Sequence, residues 1–280
     1  MGSDPPVDMQ GAYDRYFSSG LYGQRYPRPN PRVFGIVRDL METVGPRVLD
    51  FGCGDGRYAA PILDSAPRAR VIGYDISATA LEALAARRPD DLRSGRLRLV
   101  LGSLDALAAE VEPHSVDLGL MLFGVLGHVP TRAGRIAALR AAMRCVRPGG
   151  RLVVTVPNAR RRFLEEQRES LARIATGDAE PGDILYQRQS EAGLLRLYYH
   201  LYSLPEFAGE LAAAGLVDAT FAAESVLPER GILVSRLGRI ADDLLARSLD
   251  IRHAYGFLAV ATVPAAGPVE TRLIEEPSYA

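Results

Sequence analysis

The stretch Val48-Leu49-Asp50-Phe51-Gly52-Cys53-Gly54-Asp55-Gly56-Arg57-Tyr58 decides the fold. An apolar run of strand length passes directly into three glycines, each separated from the next by one residue. Glycine tolerates positive φ and has no Cβ, so a strand-to-helix turn built this way lets a ligand approach the main chain. A second acidic position, Asp75, closes the run RVIGYD (70–75), 19 residues beyond Gly56. In a βαβ unit, a carboxylate at that separation accepts hydrogen bonds from the two hydroxyls of a ribose.

Working outward, RVLDFG (47–52), RVIGYD (70–75), RLRLVL (96–101), SVDLGLM (115–121) and RLVVTV (151–156) read as buried strands. Helical spacing separates them. Val33, Ile36, Val37, Leu40, Met41 and Val44 form one stripe that Gly45-Pro46 stops. Leu81 and Leu84 follow the N-cap residue Ser77, and Ile136, Leu139, Met143 and Val146 follow Thr131. Strands alternating with helices predict right-handed crossovers and a parallel sheet. The rhythm then breaks at a polar insertion, 159–202. It resumes with a helix over 203–216 and a sixth strand, VDATFAAES (217–225). A second insertion, 225–253, carries Leu233, Leu237, Ile240 and Leu244 as an apolar stripe, and YGFLAVATV (255–263) is the last strand. The expected organisation is one α/β domain over 31–263, an N-terminal cap segment over 1–30 and a flexible tail over 264–280. The cap segment and both insertions are expected to cluster over the carboxyl edge of the sheet.

Composition narrows the function. Of 280 residues, 48% are hydrophobic and 24% charged, which suits a globular core and excludes a disordered or fibrous chain. The formal net charge of −1 gives no global attraction for nucleic acid or anionic membrane. All the basic side chains are arginine. The longest apolar stretch, Leu118 to Val129, is too short to span a bilayer, and MGSDPPVDMQ has no apolar signal core. Cys53 and Cys145 have neither metal-ligand spacing nor the density of a disulfide scaffold, so a reducing cytoplasm is the expected compartment. His114 and His253 lack ligand neighbours, and no metal site is assigned.

Two cofactor classes use a glycine turn with a ribose carboxylate. Dinucleotides want G-x-G-x-x-G with a free helix N-terminus for pyrophosphate, whereas here Arg57 stands where that pattern wants glycine. Asp50 precedes the turn and Asp55 lies inside it. They would repel pyrophosphate but suit an ammonium group, and S-adenosylmethionine (SAM) offers an amino-acid end, a ribose and a sulfonium without phosphate.

At these residues the chain resembles the class I SAM-dependent methyltransferases, over roughly residues 33–157 and the last helix and strands. Asp50 to Gly56 match the family's D/E-x-G-x-G-x-G motif, and Asp75 matches its acidic end of the second strand. Gly102-Ser103-Leu104-Asp105 matches the loop beside the adenine. Asp117 through His128 is similar to the segment lining the transfer site, and Arg147-Pro148-Gly149-Gly150-Arg151-Leu152 to L-x-P-G-G-x-L. The resemblance implies a Rossmann-like, doubly wound, seven-stranded, mostly parallel sheet with an antiparallel last strand. It also implies SAM as cofactor and S-adenosylhomocysteine as product.

The expected cofactor residues are Asp50, Gly52, Cys53, Gly54, Gly56, Tyr58, Asp75, Ile76, Ser103, Leu104, Leu122 and Phe123. For the acceptor they are Tyr16, Tyr22, Arg25, Tyr26, Tyr199 and His200. His128, the one titratable side chain between Asp117 and Arg132, is the candidate base, with a positioning role as its alternative. Arg160-Arg161-Arg162, beside Glu165 and Glu166, reads as a solvated charge run. The expected activity is O- or N-methylation of a small molecule or lipid intermediate. Two alternatives stay open. Tyr-Tyr-His-Leu-Tyr (198–202) looks like a stretch in methyltransferases acting on wobble uridines of tRNA, and a non-catalytic SAM-binding protein would carry the same turn.

Overall fold

Along β1 (Arg47–Phe51), Val48 packs into one apolar core while Leu49 and Phe51 pack into another, so the strand is buried on both faces. Such a strand belongs in the middle of a sheet covered by helices on either side. The computed structural model, which describes residues 7–190 and 193–265, places it there. The other strands are β2 (Arg70–Asp75), β3 (Leu97–Leu101), β4 (Val116–Met121), β5 (Val146–Pro157), β6 (Asp183–Ser190), β7 (Gly193–His200), β8 (Val217–Ser225) and β9 (Gly256–Thr262). Seven of them form one sheet in the order β3-β2-β1-β4-β5-β9-β8, and β6 pairs with β7 as a separate antiparallel ribbon. The strands β1 to β5 pair in parallel, whereas β9 runs antiparallel between β5 and β8. The sheet is therefore the expected Rossmann-like one.

The helices α1 (Met9–Ser18) and α2 (Leu21–Arg25) come first. They are followed by α3 (Pro31–Val44), α4 (Ala59–Ser65), α5 (Ala78–Arg87), α6 (Pro89–Arg93), α7 (Leu104–Glu110) and α8 (Arg132–Cys145). After β5 come α9 (Leu164–Ala175), α10 (Leu204–Ala214), α11 (Glu229–Val234) and α12 (Arg236–Ser248). The face of the sheet bearing Val48, Leu118 and Leu120 is covered by α3, α4 and α5, and the opposite face by α7, α8 and α10. Local chemistry starts these helices where expected. Asn30 accepts from Arg32 N and Val33 N ahead of Pro31, Ser77 accepts from Ala80 N, and Thr131 accepts from Gly134 N. The chain leaves β1 towards β2 on one side and returns as β4 on the other, so a crevice opens at their carboxyl ends.

Two segments differ from their sequence reading. The polar insertion contains the β6–β7 ribbon, whose Ile184, Tyr186, Leu197 and Tyr199 pack with Met9 and Ala12 of α1. A two-stranded ribbon needs only one apolar face, and Arg188 on that same face interrupts the alternation. In the second insertion Leu233 is buried, but Leu237, Ile240 and Leu244 are 77%, 49% and 60% exposed. The inward side of α12 is set instead by Asp242, which accepts from Val226 N and Leu227 N at 2.7 and 2.8 Å. Among the described residues no helix is long and apolar enough to cross a membrane. Residues 1–6 and most of the expected tail, 266–280, lie outside the described residues.

Candidate active site

At the carboxyl ends of β1, β2 and β4 lies a cavity of about 350 Å³. Asp50, Gly52, Cys53, Gly54 and Tyr58 line it from the first turn, Asp75 and Ile76 from the end of β2. Ser103 and Leu104 come from the loop after β3, and Leu122 and Phe123 from the loop after β4. The tertiary structure thus gathers these positions from four successive strand ends.

The turn and Asp75 build each other. Gly54 N donates to Asp75 Oδ2 at 2.8 Å, and Ser77 N donates to Oδ1 at 2.9 Å. Gly52 and Gly54 sit at φ +74° and +54°, the left-handed region that a glycine enters without strain. Burial raises the Asp75 carboxyl above its usual range, opposed by these backbone donors. Asp50 is also buried, and its Oδ2 has no hydrogen-bond partner. Burial, and then the neighbouring Asp75, push it up to about 7, opposed by the Ala59 N–H.

An orphaned carboxylate oxygen in a cavity is costly until a cation or donor reaches it. The ammonium, ribose and sulfonium of SAM fit this donor set, with Asp75 and Asp50 as the acceptors. A pyrophosphate would meet two carboxylates, so a dinucleotide does not fit.

A pH dependence follows. The folded-state value for Asp50 lies above the unfolded 3.8, so the folded chain holds an extra proton between about pH 4 and 7. Stability contributed by that proton declines as pH rises through this window. A ligand that brings an ammonium group to Asp50 instead favours the ionised form. S-adenosylhomocysteine is expected to bind about tenfold tighter at pH 8 than at pH 6, and Asp50→Asn should flatten that dependence in calorimetry.

Above the turn the cavity is walled by rings. Tyr16, Tyr22 and Tyr26 come from the N-terminal segment, and Tyr199 from β7. Tyr26 meets Phe123 edge-on with ring centroids 4.6 Å apart, and Tyr22 lies 5.7 Å from Tyr26. Phe123 is held at φ +61° because its N–H and that of Gly124 both donate to Thr155 Oγ1, at 2.7 and 3.4 Å. Gly124 is needed there, since a side chain would run into the Tyr199 hydroxyl. The helix α1 is fastened to the start of α5 by Asp14, which accepts from Ser77 Oγ at 2.6 Å.

Several expected residues lie elsewhere. Gly56 does not line the cavity; at φ +92° it turns the chain beneath Leu84. Arg25 lines a second, adjoining cavity that shares Tyr26, Phe123 and Arg162 with the first. His200 is fully buried away from both, with Nδ1 2.7 Å from Asp183 and Nε2 3.0 Å from Glu206. Burial opposes its charge, but the two carboxylates raise its pKa, so it belongs to a structural ion network. Asp117 starts β4 at the opposite edge of the sheet and bonds Arg47 and Arg147. Burial works against those bonds, yet they hold its carboxyl at about 2. Cys53 is 4% exposed and burial pushes its thiol well up, which suits an inert filler.

His128 does line the cavity. Its Nδ1 lies 2.9 Å from Tyr198 O, so that nitrogen carries the proton and donates, and the ring stacks on Tyr199 at 4.1 Å between centroids. Burial and Arg162 lower its pKa to about 4 against the one backbone bond.

Other lining residues were not legible as such. Met9 and Phe17 of α1 and Phe163, Tyr186 and Arg188 of the insertion complete the wall. Arg162 corrects the reading of a solvated run. It lines both cavities, its Nε is buried without a partner, and its guanidinium lies over Tyr255 and Phe163 at 4.9 and 5.4 Å. Arg57, noted at first only for not being glycine, lies 4.0 Å over Phe123 and pairs with Glu229. Interleaved arginines and rings were the available signal, but they carry no period.

Comparison with known proteins agrees with this geometry. Residues 49–152 match the family model described as a methyltransferase domain. A tRNA N(3)-methylcytidine methyltransferase of Drosophila melanogaster is 32% identical over 208 residues, 74% of this chain and 58% of that protein. A trans-aconitate 2-methyltransferase of Acidovorax is 29% identical over 157 residues, 55% of this chain and 54% of that protein. The chain thus spans little more than half the length of these curated relatives. In fold it resembles a SAM-dependent methyltransferase from Methanosarcina mazei, with TM-score 0.58 at 17% identity, covering 81% of this chain and 96% of that one. By its glycine turn, its sheet order and the match over 49–152, the chain carries a methyltransferase domain with the fold of the SAM-dependent methyltransferases.

Proposed function

We propose that the chain transfers the methyl group of SAM to a small-molecule or lipid-type acceptor and releases S-adenosylhomocysteine. The observation that carries this reading is the continuity of the cavity, from the carboxylates Asp50 and Asp75 into a ring-walled chamber under α1, α2 and the β6–β7 ribbon. SAM supplies a methyl carbon on a sulfonium. An acceptor lone pair attacks that carbon in line, the C–S bonding electrons pass to sulfur to release the thioether, and a proton on the acceptor atom passes to bulk water. The residues of the chain hold the acceptor against that line and keep water out, and proximity and orientation supply much of the rate. Phe123, fixed by Thr155, and the Tyr16, Tyr22 and Tyr26 rings form the side on which an apolar acceptor packs.

His128 acts in this reading as a positioning residue. With its proton on Nδ1 and a pKa near 4, it is neutral at working pH and a weak base. His128→Asn is expected to keep kcat within about tenfold and leave the shape of its pH profile unchanged. Loss of an acidic limb in the variant would restore the base assignment.

The test measures S-adenosylhomocysteine release from SAM with a panel of phenolic, amine, carboxylic and isoprenoid acceptors, alongside unmodified tRNA. Turnover on a small molecule, abolished by Asp75→Ala, supports the reading. A second reading, methylation of a tRNA base, is favoured by the likeness to the tRNA methyltransferase over 74% of this chain. Turnover on tRNA alone would establish it, and tight cofactor binding without any turnover would favour a non-catalytic role.

A further inference from the structure

The charges of the cavity are divided. Besides the carboxylates Asp50 and Asp75, three arginines, Arg57, Arg162 and Arg188, line it. The ammonium and ribose of the cofactor account for the carboxylates, and its single carboxylate can engage only one of the three guanidinium groups.

Arg162 is the informative one. Its neighbours are the rings of Phe163, Tyr199 and Tyr255, and among the described residues no carboxylate comes within ion-pair distance of it. Its Nε has no hydrogen-bond partner although it is buried. Arg57 has a 3% exposed side chain. Its Nε donates to Arg28 O at 2.8 Å and its Nη2 to Glu229, yet its Nη1 is also buried and unpartnered. Two guanidinium groups, each with a buried and unpartnered nitrogen, leave hydrogen-bonding capacity unused, and an anion brought by a ligand would use it. Glu224 and Glu229, in the adjoining cavity, do not fill that role. Arg57 already holds Glu229, and Glu224 stays beyond ion-pair distance of Arg162. The rings beneath both arginines, Tyr26, Phe123 and Tyr199, also line the cavity and offer an apolar wall beside the anionic group.

We propose that the acceptor is an amphipathic anion, a carboxylate or a phosphate monoester on an apolar body, whose charged group is held by the idle donors of Arg162 and Arg57 with Arg188 beside them. The proposal rests on the methyltransferase reading and adds the acceptor's chemical class. In the bound state its negative end faces the arginines, and the end to be methylated lies towards Asp50 and the cofactor. The idle guanidinium donors act as specificity determinants, rejecting neutral analogues that would leave them unpaired.

The test uses the full chain saturated with S-adenosylhomocysteine, and the cofactor titration is read first. Failure to bind S-adenosylhomocysteine would count against the methyltransferase reading itself. The loaded protein is then titrated with 3-phenylpropionate, phenyl phosphate and the neutral 3-phenylpropionamide. One or both anions are expected to bind roughly tenfold to a hundredfold tighter than the amide, the scale of charge-assisted hydrogen bonds. The stronger of the two identifies the group. Arg162→Gln should remove most of that preference while S-adenosylhomocysteine affinity stays within about twofold, and Arg162→Lys should restore part of it. If Arg162→Gln fails to fold, the same titration of Arg188→Gln is expected to show a reduced preference. Equal binding of amide and anions, no binding of any probe, or an unchanged preference in the folded variants would overturn the proposal.

Discussion

Replacing Arg135 with methionine is expected to destabilise the protein by about 3–5 kcal/mol, the cost of leaving one member of a buried ion pair uncompensated. Arg135 on α8 and Glu210 on α10 both have 0% exposed side chains. Arg135 Nε donates to Glu210 Oε1 at 3.0 Å and Nη2 donates to the same oxygen at 2.8 Å. Tyr202 donates its hydroxyl to Glu210 Oε2 at 3.0 Å, and Glu180 takes a further bond from Arg135. Without the guanidinium, only the Tyr202 hydroxyl would still donate to the Glu210 carboxylate. For a chain of this size the loss corresponds to a Tm lower by roughly 10 °C. Arg135→Met combined with Glu210→Leu should recover most of the loss, because it removes both desolvated charges and fills the space with apolar atoms. Thermal melts of the two variants check this. A single variant as stable as the parent would show that the pair contributes nothing.

Asp75→Ala is expected to weaken S-adenosylhomocysteine binding by about 1.5–3 kcal/mol, the scale of lost hydrogen bonds to a charged group. The structure adds a second consequence. The carboxylate also accepts from Gly54 N and Ser77 N, so its removal loosens the glycine turn and the start of α5. The melting temperature should therefore fall along with the affinity. Calorimetry above and below the parent's dissociation constant separates the two, provided circular dichroism shows the variant folded at the titration temperature. Unchanged affinity would place the ribose elsewhere and undo the assignment of the turn as the cofactor site.

Much of this site was legible from residues alone, because its turn depends on local chemistry. Three closely spaced glycines after an apolar run can do little but turn sharply, and Asp50 and Asp75 beside them select for cationic and hydroxyl-bearing ligands. Periodicity likewise predicted β1 to β5 and the helices behind Asn30, Ser77 and Thr131, since each buries a stripe at fixed spacing and is capped by its own neighbours. The same reasoning placed a strand over 255–263 but not its neighbours, because pairing between β5 and β8 is a non-local choice.

What only the tertiary structure decided is which polar side chains face inward. Arg162 and Arg161 are adjacent and chemically identical, yet Arg162 lines the cavity while Arg161 donates from the surface to His253 O. His128 and His200 both read as site histidines. One is held neutral by burial at the cavity wall, and the other is clamped between two carboxylates outside it. Asp117 and Asp50 lie on neighbouring strands with similar flanks, yet they stand at opposite edges of the sheet. One carboxyl is held near 2 by arginines and the other is pushed to about 7 by burial. A residue's own sequence neighbourhood sets its backbone, but its charge state and its partners come from elements tens of residues away, brought beside it only when the sheet and its cap have formed.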